Sequence, residues 1–301
     1  MLRRSLLAAS RSPGLRTTLV TAPVTRRVVR RFVAGEDAAR ALEVAARLLA
    51  DGLLVSLDRL GEDVRDPAGA EATVRAYEKL LPELPGGVEV SVKLTALGQA
   101  LDEDLALANA RRVCAEAARA GTTVTLDMED HTTVASTLRV LDALREEHPG
   151  TGAVVQAQLR RAEEYCARLA YEGSRVRLCK GAYDPPPSVG YTAKADVDKS
   201  YVRCLRTLMA GRGYPMVATH DPRLIEIADA LRMVGGRDHD SFEYQMLYGI
   251  RPDEQLRLAR TGARVRVYVP YGEDWYGYLV RRLAERPANL AFFLRALRTR
   301  S

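Results

Sequence analysis

The chain has 301 residues, of which 47% are hydrophobic and 28% charged, as in a soluble globular protein of one large or two small domains. It contains no run of about 18 uncharged apolar residues, which excludes a membrane-spanning helix. The formal net charge is +6, but the first 35 residues carry eight arginines and no acidic residue, so the nearly neutral remainder predicts no nucleic-acid-binding face.

The basic segment 1–35 is predicted to be a helical stretch that precedes a single domain over residues 36–301. Its composition also matches a mitochondrial presequence. We favour a helix that packs on the domain and contacts an anionic membrane surface. The expected location is therefore the bacterial cytoplasm, with peripheral contact to the inner face of the membrane, rather than the mitochondrial matrix.

The chain then repeats one pattern: a short apolar run, polar residues, and an amphipathic stretch. The short runs predict eight strands, at 53–57, 88–94, 123–128, 153–158, 175–179, 214–219, 241–247 and 264–269. Helices are predicted between them, for example at 101–120 and 132–147. Asp102 and Asp221 are typical N-caps, Pro222 suits a first helical turn, and Gly121 is a typical helix stop.

Eight strands that alternate with helices over about 250 residues predict an α/β fold, a (β/α)8 barrel of the TIM type. A doubly wound open sheet is the alternative. Its G-x-G-x-x-G loop does not follow the first predicted strand.

Active sites of such barrels lie at the carboxyl ends of the strands. Every predicted strand ends in a polar or ionisable residue: Asp58, Lys93, Asp127, Gln156 or Gln158, Arg177 with Lys180, Thr219 with His220, Glu243 with Gln245, and Tyr268. After the last strand, Tyr278, Arg281 and Arg282 share one side of a predicted helix and suit a carboxylate ligand.

Two further residue types carry no predicted site. The cysteines Cys114, Cys166, Cys179 and Cys204 form no C-x-x-C pair and are predicted to be buried free thiols. The four histidines show no metal-ligand spacing, so no metal is predicted.

Six segments resemble the motifs of proline dehydrogenases, in the order of that family and across roughly residues 50–290. They are SVKLTALG (91–98), TLDMED (125–130), VRLCKGAY (176–183), ATHD (218–221), FEYQMLYG (242–249) and YLVRRLAE (278–285). The compact length resembles the monofunctional bacterial enzymes. The resemblance implies FAD-dependent oxidation of L-proline to 1-pyrroline-5-carboxylate, with electrons passed to a quinone.

The resemblance also implies roles for single residues. For the substrate, Lys93, Arg281 and Arg282 would hold the proline carboxylate, Asp127 would neutralise and orient these cations, and Tyr268 and Tyr278 would pack on the ring. For the cofactor, Arg177 would lie near flavin N5, and Gln156 and Met128 near the ring system. Other parts of FAD would be held by Lys180, Gly181, Ala182, Thr219 and His220. Gln156 is chosen over Gln158 by motif alignment alone.

Two other functions remain open on the residues themselves. A Schiff-base aldolase on the same barrel would use Lys93 or Lys180 as its nucleophile, although Asp127 would favour the charged lysine. A non-catalytic barrel that binds a carboxylated metabolite is the second.

Overall fold

The computed structural model describes residue 29 and residues 31–285, with side chains up to residue 280. The strands are β1 (Leu54–Arg59), β2 (Val88–Val92), β3 (Val124–Leu126), β4 (Ala153–Gln156), β5 (Arg175–Cys179), β6 (Tyr214–Ala218), β7 (Glu243–Leu247) and β8 (Val265–Tyr271). The helices are α1 (Ala38–Ala50), α2 (Pro67–Leu80), α3 (Glu103–Arg119), α4 (Val134–Glu147), α5 (Ala162–Leu169), α6 (Lys194–Ala210), α7 (Pro222–Val234), α8 (Pro252–Arg260) and α9 (Trp275–Glu285). Short 3₁₀ turns cover Leu81–Glu83 and Leu94–Leu97.

The eight strands form one parallel sheet in the order β3-β2-β1-β8-β7-β6-β5-β4. The two outer strands meet through Gly152, which lies directly before β4. Leu126 N–H donates to Gly152 O at 2.9 Å, and Gly152 N–H donates to Val124 O at 2.8 Å. The sheet therefore closes on itself, and the predicted (β/α)8 barrel is confirmed against the open sheet.

The predicted helix signals act as expected. Asp102 accepts a hydrogen bond from Leu105 N–H at 2.9 Å at the start of α3, and Asp221 accepts one from Arg223 N–H at 3.2 Å at the start of α7. Gly121, with φ of +68°, follows the end of α3 in the left-handed region. Strand ends differ from prediction by a few residues; β6, for example, stops at Ala218, before Thr219.

The two faces of each strand pack against different surroundings. On β1, Val55 and Leu57 belong to the main apolar cluster between the barrel and its helices. Ser56 and Asp58 bind polar partners instead, at Glu89 on β2 and at Lys93 directly after it. The alternation places apolar residues outside the barrel wall, under the helices, and charged residues inside it.

Glu89 organises the amino-terminal part of the interior. It is only 2% exposed, and its carboxylate lies 2.5 Å from Arg175 Nη2, 3.6 Å from Arg177 Nη2 and 3.8 Å from Arg266 Nε. Burial alone would raise the pKa of Glu89, but Arg266, Arg175 and Arg177 outweigh it and hold that pKa well below its usual value. Glu89 is therefore the buried counter-ion of three arginines.

A second apolar cluster covers the carboxyl end of the barrel. It joins Phe32 and Val33 to Leu60 after β1, Ile250 after β7, and the face of α9 that carries Trp275 and Leu279. Helix α1, in contrast, packs beside β8 and β1. Helix α9 thus lies over the mouth of the barrel.

Other predictions are decided only in part. All four cysteines are free, and three of them are buried as predicted. Cys179 is half-buried instead, because it ends β5 at the barrel mouth.

Residues 1–28 and residue 30, most of the predicted basic segment, lie outside the described residues. The domain boundary at 35/36 and the membrane contact therefore stay predictions. Within the described part of the chain, no helix is long and apolar enough to cross a membrane.

We expect Glu89→Gln to lower the free energy of unfolding by about 3–5 kcal/mol, since it leaves buried arginines without their counter-ion. Denaturant unfolding followed by circular dichroism measures the change. Glu164→Gln is the control, because it removes a solvent-exposed partner of Arg161 and should change stability little. Equal effects of the two substitutions would contradict the assigned role of Glu89.

Candidate active site

Four of the predicted site residues meet inside the carboxyl end of the barrel. Arg177 lies on β5, Tyr268 lies on β8, Lys93 directly follows β2, and Asp127 directly follows β3. The other three side chains surround the Asp127 carboxylate. We call these four residues the mouth cluster. Its hydrogen-bonded members are up to 141 positions apart in the chain, so the barrel alone brings them together.

Asp127 is the centre of the mouth cluster. Its Oδ1 accepts hydrogen bonds from Arg177 Nη1 and Ser91 Oγ, both at 2.7 Å, and its Oδ2 accepts one from the Tyr268 hydroxyl at 2.7 Å. Lys93 Nζ lies 3.4 Å from the same Oδ2. Burial acts to raise the pKa of Asp127, but Lys93 and Arg177 outweigh it and the pKa is lowered, so the group is an anion.

Lys93 has a closer partner that received no predicted role. Its Nζ lies 2.6 Å from Asp58 Oδ1, and both side chains are almost fully buried. Burial would lower the pKa of Lys93, but Asp58 and then Asp127 raise it well above its usual value. At neutral pH the mouth cluster therefore presents a fixed ammonium group.

Arg177 joins the mouth cluster to the interior below. Its Nε donates to Gln245 Oε1, and its guanidinium lies 5.3 Å from the centre of the Tyr268 ring. Its Nη2 is buried without a hydrogen-bond partner and lies 3.6 Å from the Glu89 carboxylate. This nitrogen therefore faces its buried counter-ion, beyond hydrogen-bond distance.

A second group of predicted residues lies at the ends of β5 and β6. Lys180 Nζ is 2.6 Å from Asp198 and 3.2 Å from Asp221. Gly181 has φ of +106°, and a Cβ there would lie 2.3 Å from the Gln158 side chain, so only glycine fits. Ala182 is half-buried beside it. The Gln158 side chain thus packs directly against the backbone of this turn.

The two residues after β6 are tied to their surroundings. Thr219 is 7% exposed, and its hydroxyl accepts a hydrogen bond from Asp221 N–H at 3.1 Å. His220 Nε2 accepts one from Leu247 N–H at 2.8 Å, which requires that this ring nitrogen carries no proton.

Gln156 and Gln158 point to the same face, as their spacing predicts: Gln158 Nε2 donates to Gln156 Oε1 at 3.2 Å. Gln156 Nε2 donates to the backbone oxygens of Met128 at 2.8 Å and Glu129 at 2.9 Å. Both amide hydrogens of Gln156 are thus used within the protein, which fixes the β3–α4 loop against β4. Met128 itself is buried in the main apolar cluster.

Of the predicted site residues on α9, the structure describes the side chain of Tyr278 but only the backbone of Arg281 and Arg282. Tyr278 is buried in the second apolar cluster over the barrel mouth. Arg281 and Arg282 lie on the same helix, and their side chains are outside the described residues. Their predicted contact with a carboxylate stays a prediction.

Several polar interior residues of the site had no predicted function: Asp58, Ser91, Glu89, Gln245 and Glu129. The signal for Glu89 and Ser91 is parity, because they lie four and two positions before Lys93 on the same face of the second strand. Glu129 stands likewise two positions after Asp127. Among the described residues, no group of three or more His, Cys, Asp or Glu side chains is arranged to hold a metal ion.

Comparison with known proteins gives one consistent result. The family model described as proline dehydrogenase matches residues 41–295. Proline dehydrogenase of Deinococcus radiodurans is 43% identical over 277 residues, 89% of each chain, and proline dehydrogenase 1 of Bacillus subtilis strain 168 is 37% identical over 300 residues, 99% of each chain. The crystal structure of proline utilization A from Bdellovibrio bacteriovorus matches with a TM-score of 0.78 and 27% identity, over 86% of this chain and 32% of that one. The chain thus spans about a third of the length of that larger protein.

Glu129 provides a pH-dependent prediction. It is 5% exposed, it accepts hydrogen bonds from Thr95 N–H and Oγ1, and burial raises its pKa from 4.5 to about 7. The folded protein therefore retains a proton that the unfolded chain releases between these pH values. The stability that Glu129 contributes is present below about pH 4.5 and is lost as the pH rises through 7.

We expect Glu129→Gln to remove a fall of up to about 3 kcal/mol in the free energy of unfolding between pH 4.5 and 8. Unfolding curves across this range, compared with the unmodified protein, measure it. Asp130→Asn is the control: the pKa of Asp130 is lowered, so its contribution is lost only as the pH falls below about 4. Parallel profiles for Glu129→Gln and the unmodified protein would contradict the prediction.

Proposed function

The chain belongs to the proline dehydrogenase family, and we propose that it oxidises L-proline to 1-pyrroline-5-carboxylate with bound FAD and passes the electrons to a quinone. The observation that carries the proposal for this chain is the mouth cluster, in which a buried ammonium and a buried guanidinium flank one carboxylate. Such a site recognises a small zwitterion, with cations for its carboxylate and an anion near its amine.

Lys93 is the group that we propose to bind the proline carboxylate from inside the barrel. Two of its three N–H donors are directed to Asp58 and Asp127, which leaves one for a ligand. Family resemblance adds Arg281 and Arg282 from helix α9 above. Bidentate guanidinium bonds from that side would fix the carboxylate between the helix and the barrel.

The reaction removes a hydride from the ring carbon next to nitrogen and a proton from that nitrogen, so that a C=N bond forms. We propose that Asp127, held as an anion, attracts the substrate amine and that Tyr268 keeps Asp127 oriented. Tyr268 and Tyr278 would cover the pyrrolidine ring and exclude water. The protein contributes mainly through orientation and electrostatics.

The second group of residues fits a dinucleotide. The resemblance to the family places the Gly181 turn against the cofactor, and the ammonium of Lys180 suits a phosphate. The resemblance to the family adds Arg177, near flavin N5. We therefore assign FAD to Arg177, Lys180, Gly181, Ala182, Thr219 and His220, with Met128 and Gln156 along the ring system. When bound, FAD supplies the two-electron acceptor at its N5 position.

The aldolase alternative is disfavoured by the charge on Lys93. A Schiff-base nucleophile must be a neutral amine, whereas Asp58 and Asp127 hold the pKa of Lys93 well above its usual value. Lys180 is engaged by two carboxylates.

The visible absorption spectrum of the purified protein, recorded without air before and after addition of L-proline, tests the proposal. We expect flavin bands that bleach with proline, and that return when a soluble quinone is added but not with a nicotinamide nucleotide. A colourless protein that FAD does not reconstitute would sink the proposal. Bands that persist with proline would keep the cofactor and exclude the substrate.

Arg281→Met tests the carboxylate assignment on helix α9. We expect the KM for L-proline to rise by about tenfold to a hundredfold, because one charge-assisted bond is lost, with flavin content unchanged. Steady-state kinetics and the flavin-to-protein absorbance ratio measure the two effects. The control is Arg212→Met, which changes a solvent-exposed arginine. An unchanged KM in Arg281→Met would refute the assignment.

A further inference from the structure

Asp58 lies directly beneath the ammonium group of the mouth cluster. Asp58 is 0% exposed, and its Oδ1 lies 2.6 Å from Lys93 Nζ. Because Asp58 has no exposed surface, a ligand in the barrel mouth does not reach its carboxylate. Any effect of Asp58 on a ligand therefore passes through a neighbouring side chain, and its short hydrogen bond is with Lys93.

The other carboxylate near Lys93 holds it only weakly. Asp127 lies 3.4 Å from Lys93 Nζ and already accepts shorter bonds from Arg177, Ser91 and Tyr268. The short hydrogen bond that Lys93 donates is the one to Asp58. A lysine side chain has four rotatable bonds and strongly prefers water, so an ammonium at this depth needs such a partner to stay in place and charged.

We propose that Asp58 is a positioning residue that holds Lys93 in place and cationic, so that its remaining N–H is directed at the carboxylate of the substrate. The inference rests on the proposed function, since it takes the ligand to be a small ring carboxylate. It assigns a role in substrate binding to a residue that makes no contact with the substrate.

The charged surroundings of Lys93 determine what loss of Asp58 does. The titratable groups around it come from β1, α2, β5, β8 and the loop after β3: Asp58, Tyr77, Asp127, Glu129, Arg177 and Tyr268. Burial acts to lower the pKa of Lys93, and Asp58 is the strongest opposing group. Without the Asp58 charge, burial and Arg177 act against one shared carboxylate, so Lys93 loses its proton at a lower pH.

Asp58→Asn provides the test, because asparagine keeps the shape of the side chain and removes its charge. The probe is cyclopentanecarboxylate, a ring carboxylate without the nitrogen of proline, whose charge does not change in the alkaline range. Its dissociation constant is measured by calorimetry with the FAD-loaded enzyme from pH 7.5 to 9.5. The pKa values of Tyr77 and Tyr268 are raised well above 10, so neither tyrosine titrates in this window.

For the unmodified enzyme we expect less than a threefold change in the dissociation constant over this range. For Asp58→Asn we expect a loss of tenfold or more between pH 7.5 and 9.5, as Lys93 becomes neutral. The double variant Asp58→Asn with Lys93→Arg is the control. A guanidinium stays charged throughout this range, so the affinity of the double variant for the probe should not depend on pH, even if binding is weaker overall.

Two results would overturn the inference. In the first, the dissociation constant of Asp58→Asn depends on pH no more than that of the unmodified enzyme. In the second, Asp58→Asn binds the probe more weakly by the same factor at every pH, which marks a merely structural role. Should Asp58→Asn not fold, Asp58→Glu replaces it, with weaker binding expected at all pH values; unchanged affinity there would overturn the positioning role. Failure of the proposed function is distinguishable, because the unmodified enzyme would then bind neither the probe nor L-proline.

Discussion

The structure depends on charge compensation inside the barrel. Charged groups cannot be buried singly without a cost of several kcal/mol, so each must lie beside a partner of opposite sign. Among the described residues, four acidic and four basic side chains meet this condition in the interior: Asp58, Glu89, Asp127 and Glu243 with Lys93, Arg175, Arg177 and Arg266. Their pairing determines both what the interior can hold and where it can bind a ligand.

Arg177 connects the two ends of this arrangement. At its lower side the guanidinium lies near Glu89, which neutralises Arg175 and Arg266 as well. At its upper side it donates to Asp127. The amino-terminal part of the interior is closed around these ion pairs, whereas the upper part contains a lysine with a donor to spare. Stability and ligand binding thus use the same kind of interaction at different depths.

The site could be predicted where residue type and strand parity suffice. Lys93, Asp127, Arg177 and Tyr268 were all identified at strand ends, and the barrel places them within hydrogen-bond or ring contact of one another. Asp58 also ends a predicted strand, but the sequence predicts no role for it, because nothing local indicates that its partner is Lys93. The contact of Gln156 with a ligand stays a prediction; only the structure shows that both of its amide hydrogens bind backbone oxygens of the β3–α4 loop.

The sequence by itself determined the number of strands, their alternation with helices, the helix caps and the chemical character of each strand end. These features depend on local periodicity and on residues within one turn of each other. Only the tertiary structure decided that the sheet closes through Gly152, that α9 covers the mouth, and that Asp58 pairs with Lys93 while Tyr268 pairs with Asp127. The physical reason is sequence separation: the hydrogen bonds among these contacts join residues 26 to 141 positions apart. Their distance in space is set by the closure and register of the barrel and by no local preference of the chain.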